Sequence, residues 1–267
     1  MSLNRRALLG SALALAALPA FAQEIGSKER PLRIGTSAGP HTQLLEKVQE
    51  IAARDGLYLK IIPFTDYITP NLALAAKELD ANSYQHLPFL EQMVRDRNLP
   101  LAAVGKTMVF PIGVYSRKYK KLDALPKGAR IAVPNDPTNG GRALALLAAN
   151  GVFRLTPGAD FRATIADITE NPKNIRVVEL EAAQIPRVLD EVDAAVINTD
   201  YAIPAGLNPV RDAIAIENAD SPYANLIVVH RDNKDAPWLK PLVAAYQNDE
   251  IRKFVQETFH GSAVPAF

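Results

Sequence analysis

The stretch Val133-Pro134-Asn135-Asp136-Pro137-Thr138-Asn139-Gly140-Gly141-Arg142 gathers residue types that bind anions. Ile131-Ala132-Val133 reads as a buried strand, and Ala143 to Ala149 reads as a helix stopped by Asn150-Gly151. A strand that feeds a helix through such a loop directs free backbone N–H groups at one point. Arg142 adds a planar fork of donors matched to a carboxylate or phosphate. Gly140 and Gly141 let the backbone come close to a ligand. The same residues also describe an ordinary strand-to-helix turn with a solvated arginine, and the stretch alone does not separate the two.

Other chemistries find less support. Ser83 and His86, with Asp80 nearby, are the residue types of a hydrolytic triad. Three residues packed into one short segment rarely reach triad geometry, and no G-x-S-x-G elbow accompanies them. The four histidines show no H-x-x-x-H or H-E-x-x-H spacing, so no metal site is expected. Gly140-Gly141 lack the Lys-Ser/Thr of a phosphate loop, and no cofactor is called for. A non-enzymatic binding protein is expected, with a hydrolase as the less favoured alternative.

The elements that must position these residues come in two series. Leu32–Thr36 is predicted as a strand, followed by a turn at Ser37–His41 and a helix with Leu44, Leu45, Val48, Ile51 and Ala52 on one face. Strands at Leu57–Ile62, Ala81–Tyr84 and Leu101–Val104 alternate with helices at Asn71–Leu79 and Leu87–Arg97. This alternation argues for βαβ units and a mostly parallel sheet. A strand at Phe110–Tyr115 and a basic loop at Lys118–Lys127 then lead into a second α/β series from Arg130. It holds strands at Arg176–Glu179 and Ala194–Ile197 around a helix at Ile185–Glu191. Strands at Ala213–Ile216 and Asn225–Val229 precede helices at Leu239–Tyr246 and Ile251–Phe259. No flexible tether separates the series, so two α/β lobes with a cleft between them are expected. Ligands of open α/β sheets bind at the carboxyl ends of strands, where Val133–Arg142 lies.

The chain has 267 residues, 48% hydrophobic and 22% charged, with a formal net charge of +1. That is a globular composition without the basic field that nucleic acid requires. Asn4-Arg5-Arg6, the apolar run Ala7–Leu18 and Ala20-Phe21-Ala22 form the three regions of a cleavable signal peptide, residues 1–22. The Arg5-Arg6 pair fits either twin-arginine or ordinary export. The chain contains no cysteine, which excludes disulfides, thiolate chemistry and lipid attachment through an N-terminal cysteine. A diffusible periplasmic protein without a lipid anchor is expected.

Five blocks resemble the methionine-binding lipoprotein family of the NlpA/MetQ type, in that family's order. They are Phe64-Thr65-Asp66-Tyr67 with Pro70-Asn71, Asp80 to Leu90, Val133 to Leu144, Ala194 to Ala202, and Ser221 to Asn225. The resemblance implies a type II periplasmic-binding-protein fold with the ligand between the lobes. Residues 30–106 with 220–267 would form one lobe and residues 107–219 the other, with crossings near Lys106–Ile112 and Leu207–Asn225.

The resemblance also implies the function of a periplasmic substrate-binding component of an ABC importer. Such a protein binds methionine (D or L) or a related amino acid by lobe closure, probes no nucleic acid, and as a monomer delivers its ligand to a permease–ATPase complex. A ligand sensor for another small carboxylate is the alternative. By position, Arg142 with Asn139 would take the ligand carboxylate, and Asn198 would fix the amino-acid backbone. Tyr67, Tyr84 and His86 would wall the side chain, with Asn82 and Asn225 as polar neighbours. Two departures stand out: Ala22-Gln23 replaces the lipobox cysteine, and Tyr84 stands where phenylalanine is common, adding a hydroxyl to the wall.

Overall fold

A computed structural model describes residues 24–267. The expected signal peptide, residues 1–22, lies outside them. The chain begins with β1 (Leu32–Ser37), α1 (Pro40–Arg54), β2 (Leu59–Phe64), α2 (Thr69–Ala75), β3 (Ala81–His86), α3 (Leu87–Arg97), β4 (Leu101–Lys106) and β5 (Met108–Val109). Next come β6 (Gly113–Tyr115), β7 (Arg130–Pro134), α4 (Pro137–Ala149), β8 (Arg154–Leu155), β9 (Ile168–Glu170), β10 (Arg176–Leu180), β11 (Ala194–Ile197), α5 (Thr199–Ala202), α6 (Pro209–Asp212) and β12 (Ala215–Ile216). The last elements are β13 (Asn225–His230), α7 (Leu239–Tyr246), α8 (Asp249–Phe259) and β14 (Val264–Pro265).

Ten of these strands build two five-stranded sheets, ordered β2-β1-β3-β13-β4 and β10-β7-β11-β6-β12, and the other four pair off as β8 with β9 and β5 with β14. In each five-stranded sheet, one strand runs against the rest: β13 is antiparallel to β3 and β4, and β6 is antiparallel to β11 and β12. The others are parallel, as the βαβ reading requires. All six positions of β13 are buried, as a central strand covered on both faces must be.

Each sheet is packed on both faces. Leu44, Leu45 and Val48 of α1 pack with Leu242 of α7 and Ile251 and Val255 of α8 on one face of the first sheet. Leu74, Phe89, Leu90 and Met93 of α2 and α3 cover the other. Leu144 and Leu147 of α4 cover one face of the second sheet, and Ile185, Leu189 and Ala202 the opposite one.

Two segments pass between the sheets, one from β4 to β6 and one from β12 to β13. They run side by side: Thr107 N–H donates to Asn225 O at 2.7 Å and Glu217 N–H to Ile112 O at 3.0 Å. The carboxyl-terminal strand β14 pairs antiparallel with β5, fastening the first crossing to the end of the chain. One predicted element changes type. The helix expected at Ile185–Glu191 is a 3₁₀ stretch over Ala182–Val188, because Pro186 supplies no N–H and its ring clashes with an α-helical turn.

Candidate ligand-binding site

Between the two sheets lies a partly open cavity with about 360 Å³ of empty space, part of it continuous with solvent. Tyr67, Tyr84, Gln85, His86 and Phe89 line it from the first sheet's side. Asn139, Arg142, Asn198, Thr199 and Asp200 line it from the second, Phe110 from the first crossing and Asn225 from the start of β13. Of the residues expected at the site, Asn82 alone is missing. It is fully buried beneath the wall, where its amide donates to Asn71 Oδ1 at 2.9 Å and accepts from Gln85 Nε2 at 2.9 Å. Asn82 therefore holds Gln85 from behind and does not face the cavity.

Around Arg142 the geometry differs from the simple anion site. The start of α4 is filled from within: Asp136 caps the helix, accepting from Asn139 N–H at 2.9 Å. Nor do the glycines serve a ligand. A Cβ on Gly140 would sit 2.8 Å from Pro134 O, and one on Gly141 would sit 2.2 Å from Phe161 O, so both let α4 pack against neighbouring backbone. Arg142 is buried, and its fork is engaged: Nε and Nη2 donate to Glu217 at 2.9 and 2.5 Å, and Nη2 also to Phe110 O at 3.1 Å. The guanidinium lies 4.1 Å from the centroid of the Tyr223 ring. Nη1 has no hydrogen-bond partner among the described residues and is the donor left for a ligand. The expected bidentate clasp is thus made with the protein's own Glu217.

Asn139 bridges the two sides of the cavity. Its amide nitrogen is held by Asp136 at 3.0 and 3.1 Å, while Oδ1 accepts from Asn198 Nδ2 at 2.9 Å and lies 3.2 Å from His86 Nε2. His86 Nδ1 accepts from Phe89 N–H at 3.2 Å, so the tautomer consistent with both contacts carries its proton on Nε2 and donates it to Asn139. Burial first, and then the charge of Arg142, push the His86 pKa down to about 3, which keeps the ring neutral. With Asn139 saturated, the amide open to a ligand is that of Asn198, whose Oδ1 is buried without a partner.

The aromatic wall is a connected set. Tyr67 stacks on Tyr84 at 6.0 Å and meets Phe89 at 6.1 Å and Tyr201 at 5.0 Å between ring centroids. The added hydroxyl of Tyr84 donates to Tyr67 O at 2.6 Å, so it presents a ring and not a free hydroxyl to the cavity.

On the same side of the cavity as Arg142 stands Asp200, a residue absent from the expected site. Asp200 Oδ2 accepts from the Tyr67 hydroxyl at 2.9 Å, and Oδ1 lies 3.4 Å from Nε2 of buried His41. That nitrogen also lies 3.0 Å from the Asn225 amide. Asp200 follows Asn198 in the same block, but nothing local shows that the chain returns it to Tyr67. Glu217 gave no signal either, because it meets Arg142 only through the crossing.

The family model for NlpA lipoproteins matches residues 32–267. The D-methionine-binding lipoprotein MetQ of Salmonella typhi is 48% identical over 236 residues, covering 87% of each chain. The MetQ of Escherichia coli strain K12 is 47% identical with the same coverage. A nutrient-binding protein from Burkholderia cenocepacia, solved bound to methionine, superposes with a TM-score of 0.86 at 50% identity, covering 88% of this chain and 100% of that one. The two-lobed periplasmic-binding-protein fold expected from the sequence is therefore the fold of this chain. One expectation is corrected. An unanchored, diffusible protein was inferred from the missing thiol, but the matched family and the named relatives are lipoproteins, which points to a lipid-anchored protein. With a family match from β1 to the last residue and near half identity over the same span, this chain belongs to the NlpA lipoprotein family.

Proposed function

We propose that the protein is the substrate-binding component of a methionine ABC importer, in which the ligand is enclosed between the lobes and handed to a permease–ATPase complex. Residues 30–106 with 220–267 move as one lobe and residues 107–219 as the other, and the protein acts as a monomer without catalysis. The observation that carries the reading is the polarity of the cavity. Arg142 Nη1 and the Asn198 amide sit on the second sheet's side, and Tyr67, Tyr84, His86 and Phe89 form a ring wall on the first. A carboxylate is held by Arg142 Nη1, and a thioether gains roughly 0.3–1.5 kcal/mol from each aromatic contact with the ring wall. The names of the MetQ relatives and the methionine in the Burkholderia cenocepacia protein support that choice of ligand.

The test is titration calorimetry on protein refolded from denaturant to strip carried-over ligand. Methionine should bind tightly to the wild type and at least about a hundredfold more weakly to Arg142→Ala, a loss of about 2.7 kcal/mol. Circular dichroism on the same sample checks that the variant is folded, since Glu217 loses its partner. Wild-type affinity in folded Arg142→Ala would sink the carboxylate assignment.

A further inference from the structure

We propose that Asp200 is the cation-binding half of this cavity: it takes the α-ammonium of the ligand whose carboxylate Arg142 takes, so that the site admits zwitterionic amino acids and discriminates against carboxylates without an amine. The inference rests on the reading of the cavity as an amino-acid site.

Asp200 lines the cavity yet is only 6% exposed, and its Oδ1 has no hydrogen-bond partner among the described residues. Its charged and titratable surroundings come from four elements. Tyr67, from the loop before α2, donates its hydroxyl to Oδ2, and burial holds that phenol protonated. His41 of α1 faces Oδ1 at 3.4 Å, but burial drives its imidazole towards the neutral form, so it brings no cation. Tyr201, the next residue in the chain, is likewise kept neutral by burial. Arg142 of α4 is the remaining charge, and Glu217 already occupies its fork.

A buried carboxylate facing no committed cation is costly unless it protonates or receives one. Burial accordingly raises the pKa of Asp200 in the empty cavity. A ligand ammonium would satisfy Oδ1 and hold the group ionised, so ligand and proton compete. Methionine affinity is then full above the raised pKa of the empty site and falls as pH drops through it.

The experiment compares wild type and Asp200→Asn, both stripped of ligand, by titration calorimetry with methionine and with 4-(methylthio)butanoate, which has the carboxylate and thioether but no amine. Methionine should bind wild type at least about tenfold more tightly than the des-amino compound. Asp200→Asn should lose at least about tenfold in methionine affinity while changing little towards the des-amino compound. Equal preference for methionine in wild type and folded Asp200→Asn overturns the proposal and leaves the methionine reading standing. Failure of wild type to bind either compound overturns both. If the variant does not fold, the wild-type pH profile decides. Methionine affinity that weakens from pH 8 to pH 5 while des-amino affinity does not supports the role of Asp200, and parallel profiles refute it.

Discussion

Gly141 gives the sharpest test of how tightly the site is built. It sits in the second turn of α4, immediately before Arg142, and a Cβ there would lie 2.2 Å from Phe161 O, 2.4 Å from Phe161 C and 3.0 Å from Ala163 N. All three are backbone atoms, so no side-chain rotation relieves the clash. Moving from 2.2 Å to the 3.0 Å floor of real contacts requires a displacement of about 0.8 Å, shared between α4 and the 161–163 loop. Overpacking of this kind costs about 1–3 kcal/mol, which for a chain of this size lowers the melting temperature by roughly 2–12 °C. The helix gains a little from alanine propensity, but less than about 1 kcal/mol. Because Arg142 holds Glu217 at 2.5 and 2.9 Å, a shift of that size also disturbs the donor presented to the ligand. Gly141→Ala should therefore melt earlier in calorimetry and bind methionine about tenfold more weakly. A variant with wild-type melting temperature and wild-type affinity would refute the claim that this glycine sets the depth of α4.

Other expectations follow from the buried polar groups. Folded His86 has its pKa near 3 whereas the unfolded chain takes up that proton from about pH 6.5 downward, so stability is complete above pH 6.5 and is lost as pH falls towards 3, by up to about 1.4 kcal/mol per unit. Urea unfolding between pH 4.5 and 7 should show this slope, and His86→Gln should flatten it by one proton; an unchanged slope would place the titration elsewhere. Asn82→Ala removes a partner of Gln85 and should cost about 1–3 kcal/mol in denaturant while leaving the methionine dissociation constant within about threefold. A large affinity loss without a stability loss would return Asn82 to the cavity wall.

The legibility of this site in the sequence follows the range of its interactions. The Pro, Asn and Gly signals around Asp136–Arg142 are local, so a strand leading through a turn into a helix could be read directly, but the helix starts at Pro137 and not at Ala143, because Asp136 caps it and the glycines are taken into its first two turns; the candidate site residues fell at the cavity with the exception of Asn82. That exception is a matter of position along the strand. Asn82 and Tyr84 lie on the same face of β3 as the pleat alternates, but Asn82 is two residues further from the strand's carboxyl end, where Asn71 closes over it. What the sequence could not show were bonds made through the tertiary return of the chain. Glu217 reaches Arg142 from a crossing segment, and His41 reaches Asp200 from the other sheet's first helix. These partners changed the roles of residues already identified: the Arg142 fork and the Asn139 amide are spent inside the protein, and what is left is a donor, Arg142 Nη1, and an acceptor, Asn198 Oδ1.

The position of β13 also bears on how the chain comes to be folded. It is the strand that joins β3 to β4, yet it is made only after every strand of the second sheet, and β14, which fastens the first crossing, is made last of all. During synthesis the second sheet has all its strands while the first still lacks its middle, with β3 and β4 each holding an unpaired edge. Closing a gap between segments so distant in sequence is slow, because the loop entropy is lost before the contacts form. A polypeptide ordered in this way stays incompletely folded until release of its final residues.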